Sequence, residues 1–254
     1  MERPAAEPVA HDPGSPDASR SAADTLRQAA VFAFRPTGRN VLHWSSWAIT
    51  LGFELVLVGI LADGDIYGWE QSLTRELQDV PGKRWIFEVT STLTNTLSTP
   101  FYLLFVTILA VVLMTGHRGA AVILALSFPL HVLAQFPKAL VDRPRPSPAF
   151  EGIEGVGGLQ SFPSGHAEYV VTFYGFLAYL VMLHFTARWQ RAAVLTAWIA
   201  FALATGFGRV AEGRHWPLDV FASYIVGLGL LSGLIWLHTA FRYVKEGRVP
   251  AKTT

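Results

Sequence analysis

The 254-residue chain contains no cysteine. Disulfides, thiolate metal sites and cysteine nucleophiles are therefore excluded, and the redox compartment is left open. Charge is scarce as well. Asp, Glu, Lys and Arg make up 15% of the residues, where a soluble domain would carry about a quarter. The net charge is only +1, so no bulk positive field points to nucleic acid. The N-terminal end has almost no large apolar residues: MERPAAEPVAHDPGSPDASRSAAD is mostly Pro, Ala, Ser and Asp. Such a segment cannot bury enough surface to offset its ordering entropy, which predicts a disordered tail over 1–40. It holds no apolar core of signal-peptide type, so no cleaved signal is read. Its last part, TLRQAAVFAFRPTGRN, fits either a short interfacial helix with basic flanks or an unstructured arm.

What is present is apolar. Hydrophobic residues are 51% of the chain, and they fall in runs near the length of about 20 residues that a membrane-crossing helix needs. Six spans are read: 43–62, 85–115 as one long helix kinked near Pro100, 119–137, 166–186, 190–208 and 218–240. Glu54 in the first span is costly in lipid and is expected to face other helices. The polar stretch 63–84 reads as an interfacial helix between spans one and two. The expected fold is thus an all-α integral membrane bundle of six transmembrane helices over 41–242, with a basic C-terminal tail over 243–254. Six spans put both termini on one side. That side carries the larger share of Lys and Arg, which makes it cytoplasmic. The tail composition and the lack of a eukaryotic targeting signal point to a bacterial inner membrane, with the opposite links facing the periplasm or exterior.

Those opposite links carry the chemistry. After span three, Lys138 and Arg145 are separated by six residues, and Arg145 is followed by Pro146. Span four opens with Pro163, Ser164, Gly165 and His166. Before span six come Arg209 and His215, and Asp219 lies at its start. Lys138, Arg145 and Arg209 would set three cations at one membrane surface, and arginine forks match phosphate oxygens. Backbone N–H groups at Ser164 and Gly165, at a helix start, would add an anion site, with Gly165 allowing close approach. Fixed donors of this kind are what phosphoryl transfer requires. Pro217 favours a helix start, so Asp219 falls at a position that can reach back to His215, fix its tautomer and make it a nucleophile. His166 is then left as the acid for the leaving oxygen and the base for water.

These three segments resemble the three-part signature of the type-2 phosphatidic-acid phosphatase superfamily: Lys, six residues, Arg-Pro; Pro-Ser-Gly-His; and Ser-Arg, five residues, His, three residues, Asp. The one departure is Gly208, which stands where the pattern has serine and removes a hydroxyl. The resemblance implies a membrane lipid phosphate phosphatase. His215, His166 and Asp219 would be catalytic, with Lys138, Arg145, Ser164, Gly165 and Arg209 on the phosphate. No metal or other cofactor is implied. The partners are the bilayer and a lipid phosphate: phosphatidic acid, phosphatidylglycerol phosphate or a polyprenyl diphosphate. The alternatives are a phosphotransferase with the same pocket, a vanadate-type haloperoxidase and a non-catalytic lipid-binding protein.

Plainer roles are expected for the other polar residues. Arg143 is the rival to Arg145, with the wrong spacing from Lys138. Arg214 is expected in solvent or at headgroups. Glu168 is expected as an acid at a helix start. His43, His117, His131, His184 and His238 are read as interfacial. Residues 147–162 form a Gly-rich loop, a lid or a plain linker.

Overall fold

Long apolar runs without internal charge become long helices. In this computed structural model the described residues are 38–146 and 160–245, with isolated positions 24, 27, 28 and 31 before them. Among them all regular structure is helical. Most of the expected N-terminal tail, most of the Gly-rich loop and the end of the C-terminal tail lie outside the described residues.

The elements are α1 (Gly38–Leu61), α2 (Gly68–Gln78), α3 (Lys83–Thr94), α4 (Thr99–Met114) and α5 (Arg118–Ala134). A short 3₁₀ turn follows at Phe136–Ala139. Then come α6 (Gly165–Tyr169), α7 (Gly175–Met182), α8 (Arg188–Ala211) and α9 (Pro217–Lys245). One wider π turn, Val170–Tyr174, joins α6 to α7.

Four helices are long and apolar enough to cross a membrane, or five if the bent pair α3–α4 is one span. Six were expected from the sequence. The difference lies at 166–186, where the helical run is divided into α6, the π turn and α7. The stretch 85–115 also departs from a single kinked helix. α3 and α4 are separate and bent by 52°. The break precedes the proline. The Ser98 N–H and hydroxyl both donate to the Asn95 carbonyl at 2.9 Å, and Leu97 N–H donates to Asn95 Oδ1 at 3.2 Å. Ser98 Oγ then caps α4 by accepting from Phe101 N–H at 3.3 Å. Pro100 sits in the first turn of α4, where its missing N–H costs nothing.

The helix α9 is the hub, packed against α1, α5, α6, α7 and α8. Small residues let backbones close in, as membrane helices require. A Cβ on Gly227 of α9 would come within 2.9 Å of the Glu168 carbonyl oxygen. The main core lies between α4, α5, the π turn and α9. There Tyr169 stacks on Phe173 at 5.1 Å and meets Phe101 edge-on at 5.3 Å. Leu51, Leu55, Leu103, Val106, Ile199 and Leu203 remain exposed on α1, α4 and α8, which gives the lipid an apolar belt. The protein is an integral membrane protein.

The polar helix α2 is more than a surface segment. Its Glu70 is fully buried and Thr74 nearly so. Glu70 Oε2 accepts from Tyr67 N–H at 3.3 Å, at the start of α2, and Oε1 accepts from Leu218 N–H at 3.1 Å, at the start of α9. One carboxylate therefore serves two helix starts, where orphan N–H groups need acceptors.

Candidate active site

The ends of α5 and α8 and the beginnings of α6 and α9 meet at one end of the bundle. Pro217 starts α9, and Asp219 reaches back so that its Oδ2 accepts from Trp216 N–H at 2.8 Å. The Trp216 indole donates to the Pro144 carbonyl at 2.8 Å, which ties the Arg143–Arg145 link to α9. The turn after α8 is closed by Arg214 and His215 N–H groups on the Arg209 carbonyl, at 2.9 and 3.2 Å. His215 is thereby set directly beneath the α9 start.

His215 is 3% exposed. Its Nδ1 lies 2.6 Å from the Ser161 carbonyl oxygen and 3.8 Å from Asp219 Oδ2. A carbonyl only accepts, so Nδ1 carries the proton and Nε2 keeps its lone pair. The hydrogen-bonded orienter is thus the Ser161 backbone, with the Asp219 carboxylate as a nearby charge. Burial pushes the His215 ring down to about 4, against the opposing pull of Asp219. The ring is neutral at physiological pH.

Asp219 is instead paired with Arg143, whose Nη1 donates to Oδ1 at 2.5 Å. Arg143 Nη2 donates to Glu70 Oε2, and Nε donates to the Asp65 carbonyl at 3.1 Å. Arg143 is fully buried and each of its nitrogens is engaged. That takes it out of contention as a phosphate ligand and makes it the clamp between α2 and α9. Arg145, two residues on, is only partly buried, and its Nη1 donates to the Arg214 carbonyl at 3.0 Å. The remaining donors of its fork can take an anion.

Ser164 N–H donates to Ser223 Oγ at 2.8 Å, and that hydroxyl donates to the Asp219 carbonyl at 2.6 Å. The Ser164 backbone donor expected on the phosphate is therefore spent on α9. Its hydroxyl is not: Ser164 Oγ is buried with no protein partner. Ser161 Oγ, Arg209 Nε and both amide atoms of Gln135 share that condition. A buried polar atom left unpaired costs about 1–3 kcal/mol, a cost that a polar ligand bound beside these atoms would remove. Gly165 lets the Gln135 and His131 side chains pack close against the start of α6. A Cβ there would stand 2.9 Å from Gln135 Oε1 and 3.2 Å from His131 Cε1.

Lys138 donates to the Pro163 carbonyl, which pins the 3₁₀ turn after α5 to the start of α6. His166 keeps some exposure and lies in electrostatic reach of Arg209, His215, His131 and Lys138. His215 in turn feels Lys138, Arg145 and Asp219. Two histidines, three cations and Asp219 thus share one locus. Among the described residues no group of three or more His, Asp or Glu side chains is placed to hold a metal ion.

Several site residues escaped the sequence reading. His131, expected at the interface, is buried, and its Nδ1 lies 2.5 Å from Glu168 Oε2. Glu168 Oε1 also accepts from Thr172 Oγ1 at 2.6 Å. The pair sits under the start of α6, with Tyr169 edge-on to His131 at 4.8 Å. Spacing held a signal for it: His131, Gln135 and Lys138 recur at four and three residues, one face of a helix running toward the site.

Comparison with known proteins matches the PAP2 superfamily over residues 99–243. A solved crystal structure is similar: the first transmembrane PAP2-type phosphatidylglycerolphosphate phosphatase, from Bacillus subtilis. Its TM-score is 0.61 at 22% identity, covering 75% of this chain and 94% of that chain. No curated protein matches the sequence significantly.

Proposed function

The chain belongs to the PAP2 superfamily, and from that premise we propose that it is a membrane lipid phosphate phosphatase working through a phosphohistidine. One observation carries the reading: His215 has Nδ1 committed to the Ser161 carbonyl, so Nε2 is a neutral nucleophile beside Lys138 and Arg145. The His215 Nε2 lone pair attacks phosphorus while the bond from phosphorus to the lipid oxygen breaks. His166, protonated when the anionic phosphate is bound beside it, gives its proton to that oxygen. Water then adds to phosphorus, His166 takes the water proton, and the N–P bond breaks to free His215 and inorganic phosphate. Lys138, Arg145, Arg209 and the Ser164 hydroxyl hold the non-bridging oxygens as charge shifts. The imidazolium-like phosphohistidine is stabilised by the Asp219 carboxylate at 3.8 Å and does not need a direct hydrogen bond to it.

Lys138 and Arg209 stand at the ends of two candidate spans, and Asp219 at the start of a third. The scissile bond therefore lies at the membrane surface, where a headgroup reaches the cations while the tails stay in lipid. Phosphatidylglycerol phosphate, phosphatidic acid and polyprenyl diphosphate all have this form. We place the site on the periplasmic or outer face of a bacterial inner membrane, with six spans and both termini cytoplasmic.

The test is phosphate release from a panel of these lipids in detergent with EDTA, for the parent, His215→Ala and His166→Ala. Release by the parent and its loss in both variants is expected. Undiminished release by His215→Ala would remove the nucleophile, and abolition by EDTA would remove the metal-free reading.

A further inference from the structure

The helix α3 carries none of the three segments that mark the site in the sequence, yet it delivers two side chains to Arg209. The Phe87 ring lies against the guanidinium, with Cζ 4.7 Å from the ring centroid. One turn on, Ser91 Oγ accepts from Arg209 Nη2 at 2.5 Å. Arg209 itself is 4% exposed, and its Nε has no protein partner.

This approach of α3 depends on Gly208. A Cβ there would lie 3.1 Å from Phe87 Cα and 3.3 Å from Phe87 N. These are backbone atoms of a helix, which cannot swing aside as a side-chain tip can. The bare position at 208 and the hydroxyl at 91 are therefore linked. Absence of a side chain on α8 is what lets α3 come close enough for Ser91 to reach the guanidinium.

The Ser91 hydroxyl is also turned differently from its neighbours. Thr90 and Thr94 donate back to the carbonyls of Ile86 and Thr90, at 2.8 and 2.7 Å, as helical hydroxyls commonly do. Ser91 makes no such bond. Its oxygen accepts from Arg209, so its hydrogen is left to donate.

We propose that Ser91 is a further phosphate-binding residue. It aims Arg209 by accepting from Nη2 and donates its own hydroxyl hydrogen to the phosphoryl oxygen that Arg209 holds. The proposal rests on the phosphate reading of the site given above. It makes α3, with Phe87 as platform and Ser91 as donor, part of the phosphate cradle, and it returns to the Arg209 region the hydroxyl that Gly208 lacks.

The test compares the parent, Ser91→Ala and Ser91→Thr, using inorganic phosphate as a competitive inhibitor of lipid phosphate hydrolysis, with thermal unfolding followed in the same detergent. Ser91→Ala is expected to raise the phosphate inhibition constant and KM by about tenfold, the weight of one hydrogen bond to a charged group. Ser91→Thr restores both and unfolds like the parent, whereas Ser91→Ala, which takes the Ser91 hydroxyl from the buried Arg209 Nη2, unfolds at a slightly lower temperature but stays folded under assay conditions. Parent-like inhibition in Ser91→Ala overturns the proposal, as does a Ser91→Thr variant that unfolds normally yet is impaired as deeply as Ser91→Ala. A parent enzyme that hydrolyses no lipid phosphate and is not bound by inorganic phosphate would instead overturn the underlying reading of the site.

Discussion

Nδ1 of His215 lies 2.6 Å from the main-chain carbonyl oxygen of Ser161, and this contact decides which ring nitrogen is available for chemistry. Because the partner can only accept, the neutral ring is held as the Nδ1–H tautomer whatever the state of Asp219. Nitrogen NMR of histidine-labelled protein should show one ring with a protonated Nδ1 and a bare Nε2 at neutral pH. Burial pushes this ring down to about 4, so it should remain neutral to well below pH 6 and take up its second proton only near the low end. A His215 signal that titrates at the ordinary histidine value would contradict the burial argument.

The same shift bears on stability. The folded-state value lies below the unfolded one, so below about pH 6.5 the unfolded chain binds the extra proton first. His215 therefore contributes a loss of stability as pH falls from about 6.5 to about 4. Thermal unfolding across that window should show a smaller pH dependence in His215→Asn than in the parent. Equal slopes would assign the dependence to other groups.

Arg143 and Arg145 should separate cleanly. Arg143→Met leaves Glu70 and Asp219 as buried charges without their partner and should lower stability by about 3–5 kcal/mol, measured by thermal unfolding in detergent. Arg145→Met should unfold like the parent and lose hydrolysis. The reverse pattern would exchange their roles.

The His131–Glu168 pair supports the start of α6 from beneath. Each single change, His131→Leu or Glu168→Leu, strands the other partner in a buried site, whereas the double change removes both. A double-mutant cycle should give a coupling of about 1–3 kcal/mol, with the double variant less destabilised than the sum of the singles. Additive losses would mean that the pair does not act as a unit.

Gly208→Ala should destabilise by about 1–3 kcal/mol through overpacking against α3. The added methyl would meet the Phe87 backbone at 3.1 Å. Calorimetry or a detergent melt would check this, and a neutral result would show that α3 yields at little cost.

The spacing of Lys138, His166, Arg209, His215 and Asp219 was legible in the sequence because each lies at or beside a helix end, where a few residues fix position, and Arg145 was legible from its spacing to Lys138. Contacts made across the fold were not. Nothing local says that the Ser161 carbonyl, 54 positions away, occupies His215 Nδ1, or that α2 sends Glu70 inward to share Arg143 with Asp219. Residues 63–84 read as surface because they are polar, yet a polar residue with a buried arginine to meet is not on the surface. The break at Asn95–Ser98 differs for another reason: Pro100 points to a kink within one helix, whereas the Asn95 and Ser98 side chains before it end one helix and cap the next.

The central claim is that phosphorus passes through His215. The most direct measurement is the stereochemistry of hydrolysis of a lipid phosphate made chiral at phosphorus with oxygen isotopes and sulfur. Attack by His215 inverts phosphorus once, and attack by water inverts it again. Net retention is the expected result. Net inversion would mean that water attacks the lipid phosphate directly, and the phosphohistidine account would be wrong.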